Sequence, residues 1–198
     1  MSKKIMGKLI TVFRIGVMSF AFAAGVSAAP LSGVYRGTIQ TNCLESVDGF
    51  SPAPDLRFIV NPGSFAGRYS DVFMSTAVFP GDGTMTESVR GSTFFEGDVF
   101  DGALGAGTFI TTCSYTLTAI SAKSYSMKGS CTGTIPAGPA AGLGITVSDI
   151  DAELQVSEDN RVIIIGASEP DSNTLTLSSG YVAQRLCAGS ATYVRARP

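Results

Sequence analysis

Histidine and tryptophan are both absent from this 198-residue chain, and charged residues make up only 15% of it. Without histidine there is no imidazole general base, no Ser-His-Asp or Cys-His nucleophile and no imidazole metal ligand. Without tryptophan, the flat platforms on which sugar-binding modules lean are missing. Catalysis is left with carboxylate, lysine, tyrosine and hydroxyl groups, and no recognisable motif assembles them. The chain therefore reads as non-catalytic. No cofactor is implied either. Pro80-Gly81-Asp82-Gly83-Thr84 lacks the lysine of a P-loop and the ligand spacing of an EF-hand. Gly102, Gly105 and Gly107 do not form the dinucleotide fingerprint. No segment after the leader has a helical period, and no tandem repeat points to a solenoid or propeller.

What is present begins with a leader. Lys3, Lys4, Lys8 and Arg14 precede an apolar run from Ile15 to Val26, and Val26-Ser27-Ala28 offers a small-residue cleavage site before Ala29. Residues 1–28 read as a secretory signal peptide. The run is shorter than the roughly 20 residues of a spanning helix, and no cysteine lies near the cleavage site for lipid attachment. Residues 29–198 then form one domain, exported to a bacterial periplasm or secreted. Cleavage removes four of the 14 basic residues and none of the 16 acidic ones, which leaves 10 against 16 and a net charge of −6. An acidic surface disfavours nucleic acid and anionic membrane as partners.

All four cysteines, Cys43, Cys113, Cys131 and Cys187, lie beyond the leader, and an even count in an exported chain implies two disulfides. Cys113 and Cys131 sit symmetrically about a short polar turn near Ala122. Pairs whose numbers sum to 244 face each other across a hairpin: Phe109–Ile135, Thr111–Gly133, Cys113–Cys131, Tyr115–Gly129 and Leu117–Met127. Such alternation means antiparallel strands with one buried and one wet face. Directly opposed strand positions are within disulfide range, which leaves Cys43 for Cys187. Pairing the first strand with the last on numbers summing to 230 gives Tyr35–Arg195, Gly37–Tyr193, Ile39–Ala191 and Thr41–Gly189. An aromatic covering a strand glycine is a compensating arrangement, and it recurs here at Gly37 and Gly129. First strand beside last is how an up-and-down sheet closes, so the fold class is all-β, an antiparallel up-and-down barrel, with a β-sandwich as the alternative.

Alternation and turn residues predict strands at 33–43, 55–60, 67–79, 84–90, 93–100, 107–120, 124–135, 144–157, 161–167, 173–178 and 188–197. Residues 181–186 fit either a strand or a helical turn. The small-residue stretch Pro136 to Gly144 is a connector in a position to cover a barrel mouth.

Two sets of residues are candidates for function. An inner face of Phe109, Tyr115, Leu117, Met127 and Ile135 would line a pocket for an apolar small molecule if the barrel is wide, and fill the core if it is narrow. Asp149, Asp151 and Glu153 share one strand face, spaced for a hard cation or an acid–base pair, or simply for a solvated surface. Gly33-Val34-Tyr35 resembles the Gly-x-Trp of the lipocalin first strand, which implies a barrel carrying an apolar ligand. Tyr35-Arg36-Gly37-Thr38-Ile39 before Cys43 resembles the first strand of chaperone-assembled pilus subunits, which implies an assembly subunit instead. The expected function is an exported binding protein for a small apolar ligand or an envelope or extracellular protein. A membrane-inserted barrel is not expected, because the second hairpin face is Thr, Ser and Lys rather than an apolar band. A hydrolase using Asp149 and Asp151 is the remaining, weaker alternative.

Overall fold

A computed structural model describes residues 30–52, 58–60, 66–97, 105–167 and 170–197. The predicted signal peptide, the turns predicted at 61–63 and 101–102 and the first part of the strand predicted at 55–60 lie outside the described residues. Among the described residues eleven strands follow in chain order: β1 (Ser32–Ser46), β2 (Phe50–Pro52), β3 (Phe58–Val60), β4 (Ala66–Pro80), β5 (Thr84–Gly97), β6 (Gly105–Ala119), β7 (Ser124–Ala137), β8 (Gly144–Val156), β9 (Val162–Gly166), β10 (Asp171–Leu177) and β11 (Val182–Arg195). β2 and β3 form a small separate ribbon.

The remaining strands close into an eight-position antiparallel up-and-down barrel. β1 pairs with β4 on one side and β11 on the other. One barrel position is shared by two short strands. β9 pairs with the C-terminal halves of β8 and β11, and β10 with their N-terminal halves. Closure rules out the sandwich, and it follows from the alternation: inward residues such as Tyr35, Ala77, Met85, Cys113, Met127, Leu154 and Tyr193 are buried in one core.

The seam register is Tyr35 with Arg195 through to Ser46 with Gln184, and the hairpin register is Thr111 with Gly133 through to Ala119 with Tyr125. Disulfides join Cys43 to Cys187 and Cys113 to Cys131. Four details differ from the sequence expectation. β1 runs past Cys43 to Ser46 and β11 starts at Val182, because Leu44–Leu186 and Glu45–Arg185 extend the ladder. Residues 84–97 are one strand, since Gly91 admits the Phe73 ring without a break. Phe109 does not pair with Ile135: a bulge at Ile135-Pro136 places Thr108 opposite Ala137, and proline has no N–H for the ladder. A second bulge falls where β8 passes β7, with Gly129 opposite Ile150 but Cys131 opposite Val147. Asp149 takes a left-handed φ of 63° there, and the inward set of β8 switches from Ile145 and Val147 to Ile150, Ala152 and Leu154.

The two barrel ends are unlike. Tight connections at 81–83, 120–123 and 157–161 gather at one end, which is sealed by side chains. There Tyr35 meets Phe79 edge-to-face at 5.3 Å, donates its hydroxyl to the Asn160 carbonyl at 2.8 Å and lies under the Arg195 guanidinium. Buried Met85, Leu154 and Ile163 complete the plug. The other end holds the 138–143 connection and the start of β11.

Candidate functional site: the barrel interior

Above the plug the barrel is hollow. A cavity of about 220 Å³ occupies its middle, walled by Ile39, Phe73, Val89, Phe109, Met127, Val147, Ile150 and Ile165. A second space of about 320 Å³ lies at the mouth, between Tyr69, Phe95, Ile135, Leu143, Leu177 and Tyr181. Asp71, Thr93, Phe109, Ile145 and Arg185 border both, so the two adjoin. Phe73 and Phe109 pack edge-to-face at 4.8 Å between them.

Of the predicted lining residues, Phe109, Tyr115 and Met127 border the central cavity, and Phe109 and Ile135 border the mouth. Leu117 borders neither. It is packed against the sealed core, because two residues beyond Tyr115 the strand has reached the closed end. The 136–144 connection is a folded turn, tied by Gly142 N–H to the Ile135 carbonyl at 2.8 Å. Its Pro139, Ala140 and Leu143 form one side of the mouth.

Charged groups inside the barrel were not foreseen. Glu87 projects into the central cavity from β5, between inward Met85 and Val89, and is 4% exposed. Ser75 and Tyr193 donate to its Oε1, and Tyr115 to its Oε2 at 3.2 Å. Burial, and then the negative charge of Glu87, hold the Tyr115 and Tyr193 phenols well above their ordinary range, so both remain donors. Tyr115 Oη also lies 3.4 Å from Cys131 Sγ, which places the hairpin disulfide in the cavity wall.

A second polar group rings the passage to the mouth. Asp71 accepts from Thr41 at 3.1 Å and Thr93 at 2.6 Å. Glu45 accepts from Tyr69 at 3.1 Å and Tyr181 at 2.5 Å, and its Oε2 is buried without a hydrogen bond. Arg185, the cross-strand partner of Glu45, donates from Nε to Asn173 Oδ1 at 2.9 Å. Asn173 donates in turn to Asp171 at 2.7 Å. Burial raises the carboxyls of Glu45, Asp71 and Asp171 above the usual carboxylate range, and hydrogen bonds and the Arg185 charge oppose it. Sequence alternation held a signal for these residues. Glu45, Asp71, Glu87 and Arg185 all occupy the apolar phase of their strands, where an ionisable residue is out of place unless it has a task.

Asp149, Asp151 and Glu153 are all exposed on the outer side of β8. Asp151 forms a solvent-exposed ion pair with Lys128 at 2.8 Å, and Asp149 accepts from its neighbour Ser148. Among the described residues no group of three Cys, Asp or Glu side chains is arranged to hold a metal ion. Compared with protein-family models, curated proteins and solved structures, the chain finds no match.

Proposed function

We propose that this chain is an exported, non-catalytic binding protein that holds a small, largely apolar molecule inside its barrel. The observation that carries this reading is the hollow interior: two adjoining spaces with walls of Phe, Ile, Val and Met and a few converging polar groups, the usual composition of a ligand site. Export is supported by the leader and by two disulfides. Binding is favoured over assembly by strand addition because every barrel strand has a neighbour on both sides, leaving no edge for augmentation. The outer face of the β6–β7 hairpin supports an aqueous setting, since Thr112, Ser114, Thr116, Ser130, Thr132 and Thr134 are exposed where a lipid-facing barrel would carry an apolar band.

The test is saturable binding. Native mass spectrometry of the purified protein should reveal a co-purified molecule, or the emptied protein should take up the neutral fluorescent probe N-phenyl-1-naphthylamine at one per chain. A protein that carries nothing and takes up no probe would overturn the reading.

A further inference from the structure

We infer that the bound molecule is an organic cation, an amine with an apolar body, whose ammonium group sits against Glu87. This inference rests on reading the interior as a binding site and adds the chemical class of its occupant.

Glu87 is buried in the cavity wall, where a lone charge is costly unless it is paired. Its three donors, Ser75, Tyr115 and Tyr193, are all neutral hydroxyls. Three hydroxyls hydrogen-bond to the Glu87 carboxyl group, and a carboxylate offers about four acceptor sites. Capacity for one more donor remains.

The surrounding charge has the same sense. Among the described residues, Arg185 is the only basic side chain bordering either space. It is engaged with Asn173 and bears on Glu45, Asp71 and Asp171. Asp71, Asp171 and Glu87 border the central cavity, while Asp151 is paired with Lys128 on the outside. The interior is thus short of positive charge. Finally, the Phe73 and Phe109 rings border the same space as Glu87, and aromatic faces attract a desolvated cation. A fatty acid of equal length would set its carboxylate against these acids.

Three probes with one apolar body decide the matter at neutral pH, where an alkylamine is charged as lysine is: n-octylamine, 1-octanol and octanoate, each titrated calorimetrically into the emptied protein. Octylamine should bind more tightly than octanol by about tenfold or more, the effect of one hydrogen bond to a charged group, and octanoate should bind weakest. In Glu87→Gln the advantage of the amine over octanol should vanish while octanol affinity is retained, which also reports an intact barrel. Octanol or octanoate binding at least as tightly as octylamine would overturn the inference and leave the binding reading standing. Failure of all three to bind would overturn the inference, and would overturn the binding reading as well if the protein also carries no co-purified molecule and takes up no N-phenyl-1-naphthylamine. The wild-type ranking decides the question even if Glu87→Gln does not fold.

Discussion

Substitution of Gly37 by alanine should weaken the barrel sharply, although its backbone suits any residue. A Cβ at Gly37 would stand 2.3 Å from the Thr192 carbonyl oxygen and 2.7 Å from Cδ1 of Tyr193. The first obstacle is backbone held in the β1–β11 ladder, so it does not yield cheaply. The second is a ring whose hydroxyl is committed to Glu87. Overpacking of this kind costs about 1–3 kcal/mol, and the stiffer unfolded chain returns about 0.4–1 kcal/mol. Loosening the hydroxyl from a charged acceptor adds a further part of about 1.5–3 kcal/mol. The expected net loss is about 2–3 kcal/mol, or roughly 5–10 °C in melting temperature for a domain of this size. Gly144→Ala is the control, because its nearest neighbour is Ser178 Cβ at 3.5 Å, an ordinary contact. Urea unfolding followed by far-ultraviolet circular dichroism compares the two. Equal midpoints for Gly37→Ala and Gly144→Ala would refute the close-approach argument.

The disulfides should rank by the chain they enclose. Replacing Cys43 and Cys187 with alanine opens a separation of 144 residues, about 5 kcal/mol in the chain-entropy account, against about 3 kcal/mol for the 18-residue separation of Cys113 and Cys131; the opposite ranking in urea midpoints would contradict it. Burial raises all six tyrosines above the ordinary phenol range. Their contribution to stability is complete below about pH 10 and is lost as the pH climbs through the raised values. Tyrosinate absorbance at 295 nm should therefore stay low in the native protein near pH 10 and appear with alkaline unfolding, and an ordinary titration of the native state would count against it. Glu45, Asp71 and Asp171 have raised carboxyls, so their contribution is greatest below about pH 4 and is lost as the pH rises through the raised values. Asp82 and Asp159 are held low by hydrogen bonds from Thr84 and Ser157 and act oppositely, but only below about pH 4. The urea midpoint should consequently be higher at pH 5 than at pH 7, and a rise from pH 5 to pH 7 would show that the buried acids are not destabilising when charged.

The barrel was legible in the chain because two cysteine pairs and two glycine–tyrosine pairs lie on two registers that every strand residue between them obeys. Counting in twos carries no information about where the count slips. The bulges at Ile135-Pro136 and at Asp149 depend on how the neighbouring strand curves, so Phe109 lost its expected partner and β8 changed its inward set. The shared position of β9 and β10 was likewise hidden, since the break follows from pairing with β8 and β11 rather than from local composition. Part of the candidate site could be named because Phe109, Tyr115 and Met127 share the face of Cys113 and Cys131. Glu87 and Arg185 were missed because polarity alone assigns a residue to water, whereas their strand phase turns them inward.

The seam has a practical consequence. β1 starts and β11 finishes at the plugged pole, since Tyr35 lies opposite Arg195 there, while Ser46 and Gln184 meet at the mouth. Whatever is fused before residue 30 or after residue 197 hangs from the pole away from the opening. A tethered molecule, on a sensor chip or a cell surface, would keep its opening turned toward the medium.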